Sequence, residues 1–172
     1  MSRKAGAPRI DPDSHAAFQV VALANQISAS ASRTYLRCFG IGVMEWRVLA
    51  LAARAPSITA AEICEISRVD KSPVSRAVKA LVRRGALRSH EDADDSRRAL
   101  LTLTPAGAAL HDRMIMASLE REELLLAGLT RDERRTFFQL VKKVSANMRL
   151  LDALDPGASP GKGARRAKTP AI

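Results

Sequence analysis

A chain of 172 residues that is 47% apolar has material for one domain's core, and its formal charge of +10, with a pI near 10.6, calls for a polyanionic partner: nucleic acid or an anionic surface. It has no run of 18 apolar residues and no hydrophobic signal core at its N-terminus, so neither a membrane span nor secretion is indicated, and the expected location is cytoplasmic, at the nucleoid. Charge placement favours nucleic acid, because residues 104–154 carry only a net +1 and the excess lies elsewhere.

Residues 1–14 are polar, with Arg3, Lys4 and Arg9, and read as a flexible basic arm. His15 to Arg37 reads as a long helix whose Phe18, Val21, Ala22, Ile27 and Leu36 form an imperfect stripe, as expected of a helix touching several others, a partner chain included. Phe39-Gly40-Ile41-Gly42 interrupts it. Val43 to Arg54 forms the next helix, with Gly42 as N-cap because valine caps poorly, and Pro56 stops the run. Trp46, the only tryptophan, joins this helix to the core with Leu49 and Ala50.

Ser57 to Thr104 is the organising stretch. Thr59 caps a helix and Glu62, three residues on, completes a capping box, while Ile58 and Ile63 stand at the two positions of a hydrophobic staple. That helix runs to about Ser67, and a turn through Arg68 and Val69 leads to Asp70, the N-cap of a second helix beginning Lys71-Ser72-Pro73. Proline is tolerated there because the amides of a first turn have no intrahelical partner. Val74, Ala77, Val78 and Leu81 mark one face; Ser72, Ser75, Arg76, Lys79 and Arg83 lie on or beside the opposite one. From Arg68 to Arg88 there are seven Lys or Arg against one acid, Asp70.

Gly85 ends the second helix, Leu87 to His90 forms a strand, and the polar run 91–98 turns the chain into Ala99 to Leu103, with Leu101 and Leu103 facing inward and Thr102 outward. A helix-turn-helix beside a two-stranded hairpin suits DNA: the second helix enters a major groove and the hairpin reaches an adjacent minor groove. Asp95 stands two residues before Arg97, close enough to orient its guanidinium at the hairpin tip. The expected DNA-binding residues are Ser72, Ser75, Arg76, Lys79, Arg83, Asp95, Arg97 and Arg98.

Thr104-Pro105 starts a helix that continues to about Ala127, with Gly128 closing it. Thr130 and Glu133 form a second capping box, after which Phe137, Leu140, Val141, Val144, Met148 and Leu151 recur at spacings of three and four on one last helix. This stripe requires burial, and a second copy of the chain is the expected cover. From Asp155 the chain is rich in Pro, Gly and Ala with Lys162, Arg165, Arg166 and Lys168, a basic disordered tail by composition.

The run Asp92-Ala93-Asp94-Asp95-Ser96-Arg97-Arg98-Ala99-Leu100-Leu101-Thr102-Leu103-Thr104-Pro105-Ala106-Gly107, preceded by Asp70-Lys71-Ser72-Pro73-Val74-Ser75-Arg76 and Gly85-Ala86-Leu87, resembles the wing and recognition helix of the MarR family of bacterial transcription regulators. The likeness extends over roughly residues 15–154. It implies a mainly α fold with a small β-wing, in which a dimerisation helix and linker at 15–42, a winged helix-turn-helix at 43–104 and C-terminal dimerisation helices at 105–154 lie between the arm at 1–14 and the tail at 155–172 already read from composition. It also implies a homodimer on double-stranded DNA, with Arg97 as the wing-tip arginine of the minor groove, oriented by Asp95, and with Ser72, Ser75 and Arg76 toward the major groove. Pro73 stands where family members often carry threonine, which removes one hydroxyl donor. A cleft between dimer helices and winged helix is implied too, taking a small aromatic or anionic effector; Tyr35, Phe39, Trp46 and Arg47 are the residues expected to border it.

Catalysis, a metal and a cofactor are not expected. His15, His90 and His111 are scattered without metal-ligand spacing, and the acids from Asp92 to Asp95 lack the periodicity of a calcium loop. Cys38 and Cys64 each sit near apolar residues and read as buried thiols in a reducing compartment. The leading expectation is a homodimeric, sequence-specific repressor released from a pseudo-palindromic operator by its effector. The alternatives are a redox-responsive regulator using Cys38 or Cys64, and a structural protein that coats DNA without sensing.

Overall fold

The computed structural model describes residues 9–92 and 98–154. The start of the basic arm, the C-terminal tail and the wing tip with Asp95 and Arg97 lie outside the described residues. The chain falls into two compact units that divide between Arg121 and Glu122. In the first are α1 (Ala16–Phe39), α2 (Val43–Ala52), β1 (Ile58–Thr59), α3 (Ala60–Ser67), α4 (Lys71–Arg83), β2 (Leu87–Glu91), β3 (Ala99–Leu103) and most of α5 (Pro105–Leu125). In the second are the end of α5, α6 (Arg131–Ala146) and α7 (Met148–Asp152).

Local chemistry sets the helix ends. Gly40 closes α1 at φ +68°, its N–H donating to Leu36 O, a left-handed cap that glycine adopts without a Cβ penalty. Gly42 is the N-cap of α2, and its N–H donates to the Glu45 carboxylate. At α3 the capping box is complete: the Glu62 N–H donates to Thr59 Oγ1 at 3.2 Å, and the Glu62 carboxylate accepts from the Thr59 N–H at 2.7 Å. Asp70 holds the N-cap position of α4, but its side chain makes no capping bond.

The sheet has three strands rather than the two expected. Its order is β1-β3-β2, all antiparallel, with Leu87 opposite Leu103, Glu91 opposite Ala99, and Ile58 opposite Leu101. The added strand is a by-product of the helix cap: Thr59 has extended geometry, φ −92° and ψ 158°, as an N-cap residue does, and that geometry also pairs with β3.

Val48 and Leu49 of α2, Ile63 of α3, Val74 and Leu81 of α4, Leu101 of β3 and Met114 of α5 form the buried centre of the first unit. Each such side chain stabilises by about 1.5–3 kcal/mol relative to exposure. The Trp46 side chain joins this core, as its spacing predicted.

The second unit is built differently. Thr130 and Glu133 form the expected capping box at the start of α6. The expected single last helix is broken at Asn147, whose N–H donates to Val144 O, three residues back instead of four, so that α7 begins as a separate turn. Phe137, Leu140, Val141, Val144, Met148 and Leu151 are 38–59% exposed on the single chain. Among the described residues, no helix is long and apolar enough to cross a membrane.

Candidate nucleic-acid interface

α4 is placed by its apolar face. Val74, Ala77 and Leu81 are buried where α4 packs on α2 and α3, with Val78 partly buried at the margin. The helical period then turns Ser72, Arg76, Lys79 and Arg83 to solvent, with Ser75 half-buried between the faces. The structure brings two of the expected DNA-binding residues together: Arg76 Nη1 donates to Ser72 Oγ at 2.6 Å, one helical turn away. That bond holds the guanidinium on the exposed face and leaves its other N–H groups for a base edge or phosphate, reducing the rotamer freedom lost on binding. Among the described residues, none of Lys71, Arg76, Lys79 and Arg83 is engaged in an ion pair.

The wing rises beside this face. Arg88 and His90 of β2 are exposed. Asp92 and Arg98 close the base of the wing, the Asp92 N–H donating to Arg98 O at 3.0 Å and the Arg98 Nη1 lying 3.8 Å from Asp92 Oδ2. Arg98 therefore divides its side chain between the wing and solvent. The carboxyl of Glu62 is held below its ordinary 4.5, chiefly by the bond from the Thr59 N–H, then by the Thr59 hydroxyl, with Arg98 adding a smaller attraction.

The four residues expected around an effector separate into two pairs. Trp46 and Arg47 line one groove of about 400 Å³ together with Ala50, Leu51, Ile66 and Ser67. Arg47 is exposed and donates to Ser28 Oγ at 3.3 Å, and the exposed side chain of Ile66 adds an apolar wall. Tyr35 and Phe39 do not line that groove: the Tyr35 ring is buried in the core beside Trp46, 6.1 Å away, and 6.4 Å from the ring of Phe39, which packs partly buried against the same core. Sequence reading missed two further members of this aromatic cluster. His111 stacks on Trp46 at 5.7 Å, and Arg121 lies over Tyr35 at 5.7 Å while donating to Ser30 Oγ at 3.1 Å and Thr34 Oγ1 at 3.3 Å. Their signal is a helical register between distant segments, which no local pattern displays.

The buried-thiol reading is corrected at Cys38. That residue is exposed, Cys64 is half-buried against the core, and both are free thiols. Apolar neighbours in sequence misled here because Leu36, one of them, is itself 55% exposed. Among the described residues, no cluster of three His, Cys, Asp or Glu is arranged to hold a metal.

Comparison with known proteins agrees with this geometry. Residues 39–98 match the model of the MarR family. A MarR/EmrR family transcriptional regulator from Acinetobacter sp. ADP1 superposes with a TM-score of 0.77 at 31% identity, covering 82% of this chain and 99% of that one. A mutant MarR from Escherichia coli, crystallised with operator DNA, has a TM-score of 0.65 at 28% identity, covering 73% of this chain and 91% of that one. The transcriptional repressor NicR of Pseudomonas putida is 32% identical over 95 residues, which is 55% of this chain and 60% of NicR, so the match spans less than two thirds of that relative. Fold, basic face and wing define a DNA-binding transcriptional regulator of the winged helix-turn-helix class. The chain belongs to the MarR family, a family of transcriptional regulators rather than enzymes.

Proposed function

We propose that the protein is a homodimeric, sequence-specific repressor that acts in the cytoplasm on nucleoid DNA and is released from its operator by a small aromatic or anionic compound. The observation that carries the dimer is the apolar stripe of four residues on α6, continued by Met148 and Leu151 on α7, left open to water on one chain, together with exposed Phe18, Val20 and Val21 on α1. An isologous contact through such surfaces brings two copies of α4 into one particle, which suits a twofold operator. On α4 the roles divide by chemistry: Arg76, held by Ser72, reads a base edge, while Lys79 and Arg83 neutralise phosphate. Ser75 supplies a hydroxyl, and the wing, with Arg98 at its base, reaches the minor groove, the contact for which the family resemblance implies Arg97 and Asp95.

The groove at Trp46 and Arg47 is the proposed effector site. An indole edge and aliphatic walls favour a planar ring, and Arg47 offers a carboxylate two parallel donors. Release requires the ligand to prefer the subunit arrangement that does not fit DNA; equal affinity for both shifts nothing. The test begins by selecting genomic fragments with the purified protein. A regulator enriches a defined site and binds it orders of magnitude more tightly than random DNA at the same salt, whereas a coating protein binds all duplexes within a few-fold. Titration of the enriched duplex with a panel of aromatic carboxylates then lowers affinity at least about tenfold for some member, and Arg47→Ala blunts that response with dimerisation intact. Release by peroxide alone, abolished by Cys38→Ser or Cys64→Ser, would replace the aromatic ligand with redox control.

A further inference from the structure

The three residues that follow α4 hold the ends of two long helices. Arg84 donates through Nη2 to Phe39 O at 2.8 Å and through Nη1 to Gly40 O at 2.9 Å. Carbonyls at a helix C-terminus lack intrahelical partners and carry the negative end of the helix dipole, so a guanidinium fork satisfies both needs at once. The start of α5 is fastened to the same corner. Thr104 donates through its hydroxyl to Gly85 O at 2.5 Å and through its N–H to Ala86 O at 3.1 Å, and its Oγ1 accepts from the Gly107 N–H at 3.0 Å. The approach is so close that a Cβ on Gly107 would stand 1.9 Å from Ala86 O. Gly85 itself turns the chain at φ +73°.

An exposed arginine at the end of a DNA-reading helix is ordinarily taken for a phosphate contact. Arg83 and Arg84 are neighbours in sequence, yet among the described residues Arg83 makes no ion pair, whereas Arg84 is committed to two backbone carbonyls some 44 and 45 residues away. We propose that Arg84-Gly85-Ala86 is the joint that fixes α4 relative to α1 and α5, and that Arg84 is a positioning residue for operator recognition rather than a DNA contact. The inference rests on the sequence-specific reading above. It supplies the route by which a change in the spacing of two subunits, carried by α1, reaches the angle of α4.

Arg84→Lys separates the two roles. Lysine keeps the charge that a phosphate contact needs but lacks the planar fork that meets two carbonyls. The experiment uses the full chain, the duplex most enriched by the wild-type protein, and a scrambled duplex of equal length. Hydrogen exchange on the DNA-free protein is run alongside. The expected result is that Arg84→Lys and Arg84→Ala both speed exchange at residues 36–40 and 82–86 and leave the α3 amides unchanged. Both lose about tenfold or more on the enriched duplex while keeping scrambled-duplex affinity and salt slope. The proposal is overturned if Arg84→Lys binds like wild type while Arg84→Ala weakens on both duplexes with a salt slope smaller by about one, the mark of a phosphate contact. It is equally overturned if exchange is unchanged, or if the variants melt earlier with the ratio between duplexes intact, which would make Arg84 a brace only. Should the wild-type protein enrich no duplex, the sequence-specific reading fails by itself, and exchange in the two turns still decides whether the joint exists.

Discussion

α4 and α6 are amphipathic helices of similar pattern in opposite surroundings. Val74 and Leu81 of α4 are 0% exposed, whereas Leu140 and Val144 of α6 are 53% and 58% exposed. Apolar residues recur at three and four in both, so periodicity does not distinguish them; the supply of neighbours does. α4 finds α2, α3 and the sheet within its own unit, and its apolar face is spent on folding. The face of α6 stays exposed among the described residues, as do Phe18, Val20 and Val21 of α1, and in the proposed dimer it is the surface that meets a second copy.

The largest effects should expose that contrast. Leu81→Ala removes a fully buried side chain from the winged-helix core and should cost about 2–5 kcal/mol in urea unfolding. Leu140→Asp should leave the first unit folded and act on association instead, at about 2 kcal/mol or more for a central interface anchor, read by sedimentation equilibrium. A full-size loss of unfolding stability in a Leu140→Asp monomer would mean that the stripe belongs to a core and not to an interface.

A smaller effect sharpens the division on α4 itself. Arg76→Ala should leave folding untouched and cost about 1–3 kcal/mol of operator affinity, narrowing the gap to random DNA in a binding titration. Equal losses on both duplexes would reassign Arg76 to phosphate.

The smallest effects lie in the two capping boxes. Thr59→Ala should cost about 1 kcal/mol in thermal or urea unfolding. Both capping carboxyls titrate below 4.5 in the folded chain, Glu62 chiefly through the Thr59 N–H and Glu133 chiefly through the Thr130 hydroxyl. A depressed carboxyl contributes stability that is complete above pH 4.5, its unfolded value, and disappears as pH falls through the lower folded one. Glu62→Gln should therefore reduce the loss of melting temperature on acidification below that point, with little pH-dependent change near neutrality.

Both capping boxes and the buried face of α4 were legible because each depends on residues within a few positions of one another, and the two wing strands because a polar run separates them. β1 was not legible: two residues make no period, and their pairing with Leu100 and Leu101 spans some forty positions. The break at Asn147 was hidden because the apolar stripe continues across it to Met148 and Leu151. For the proposed effector site, the sequence grouped four residues from adjoining helices, and in the fold Trp46 and Arg47 line a groove while Tyr35 is turned inward. Arg84 was counted only as part of a basic run, since nothing local distinguishes a cation that meets solvent from one that meets the end of a distant helix.

Footprinting of the wild-type protein on its most enriched genomic duplex tests the central claim, that the α6 and α1 surfaces pair two winged helices on one operator. Two protected half-sites of related, inverted sequence are expected, with centres about one helical turn or roughly 34–36 Å apart. Protection of a single asymmetric half-site by a protein that sediments as a monomer at micromolar concentration would contradict it.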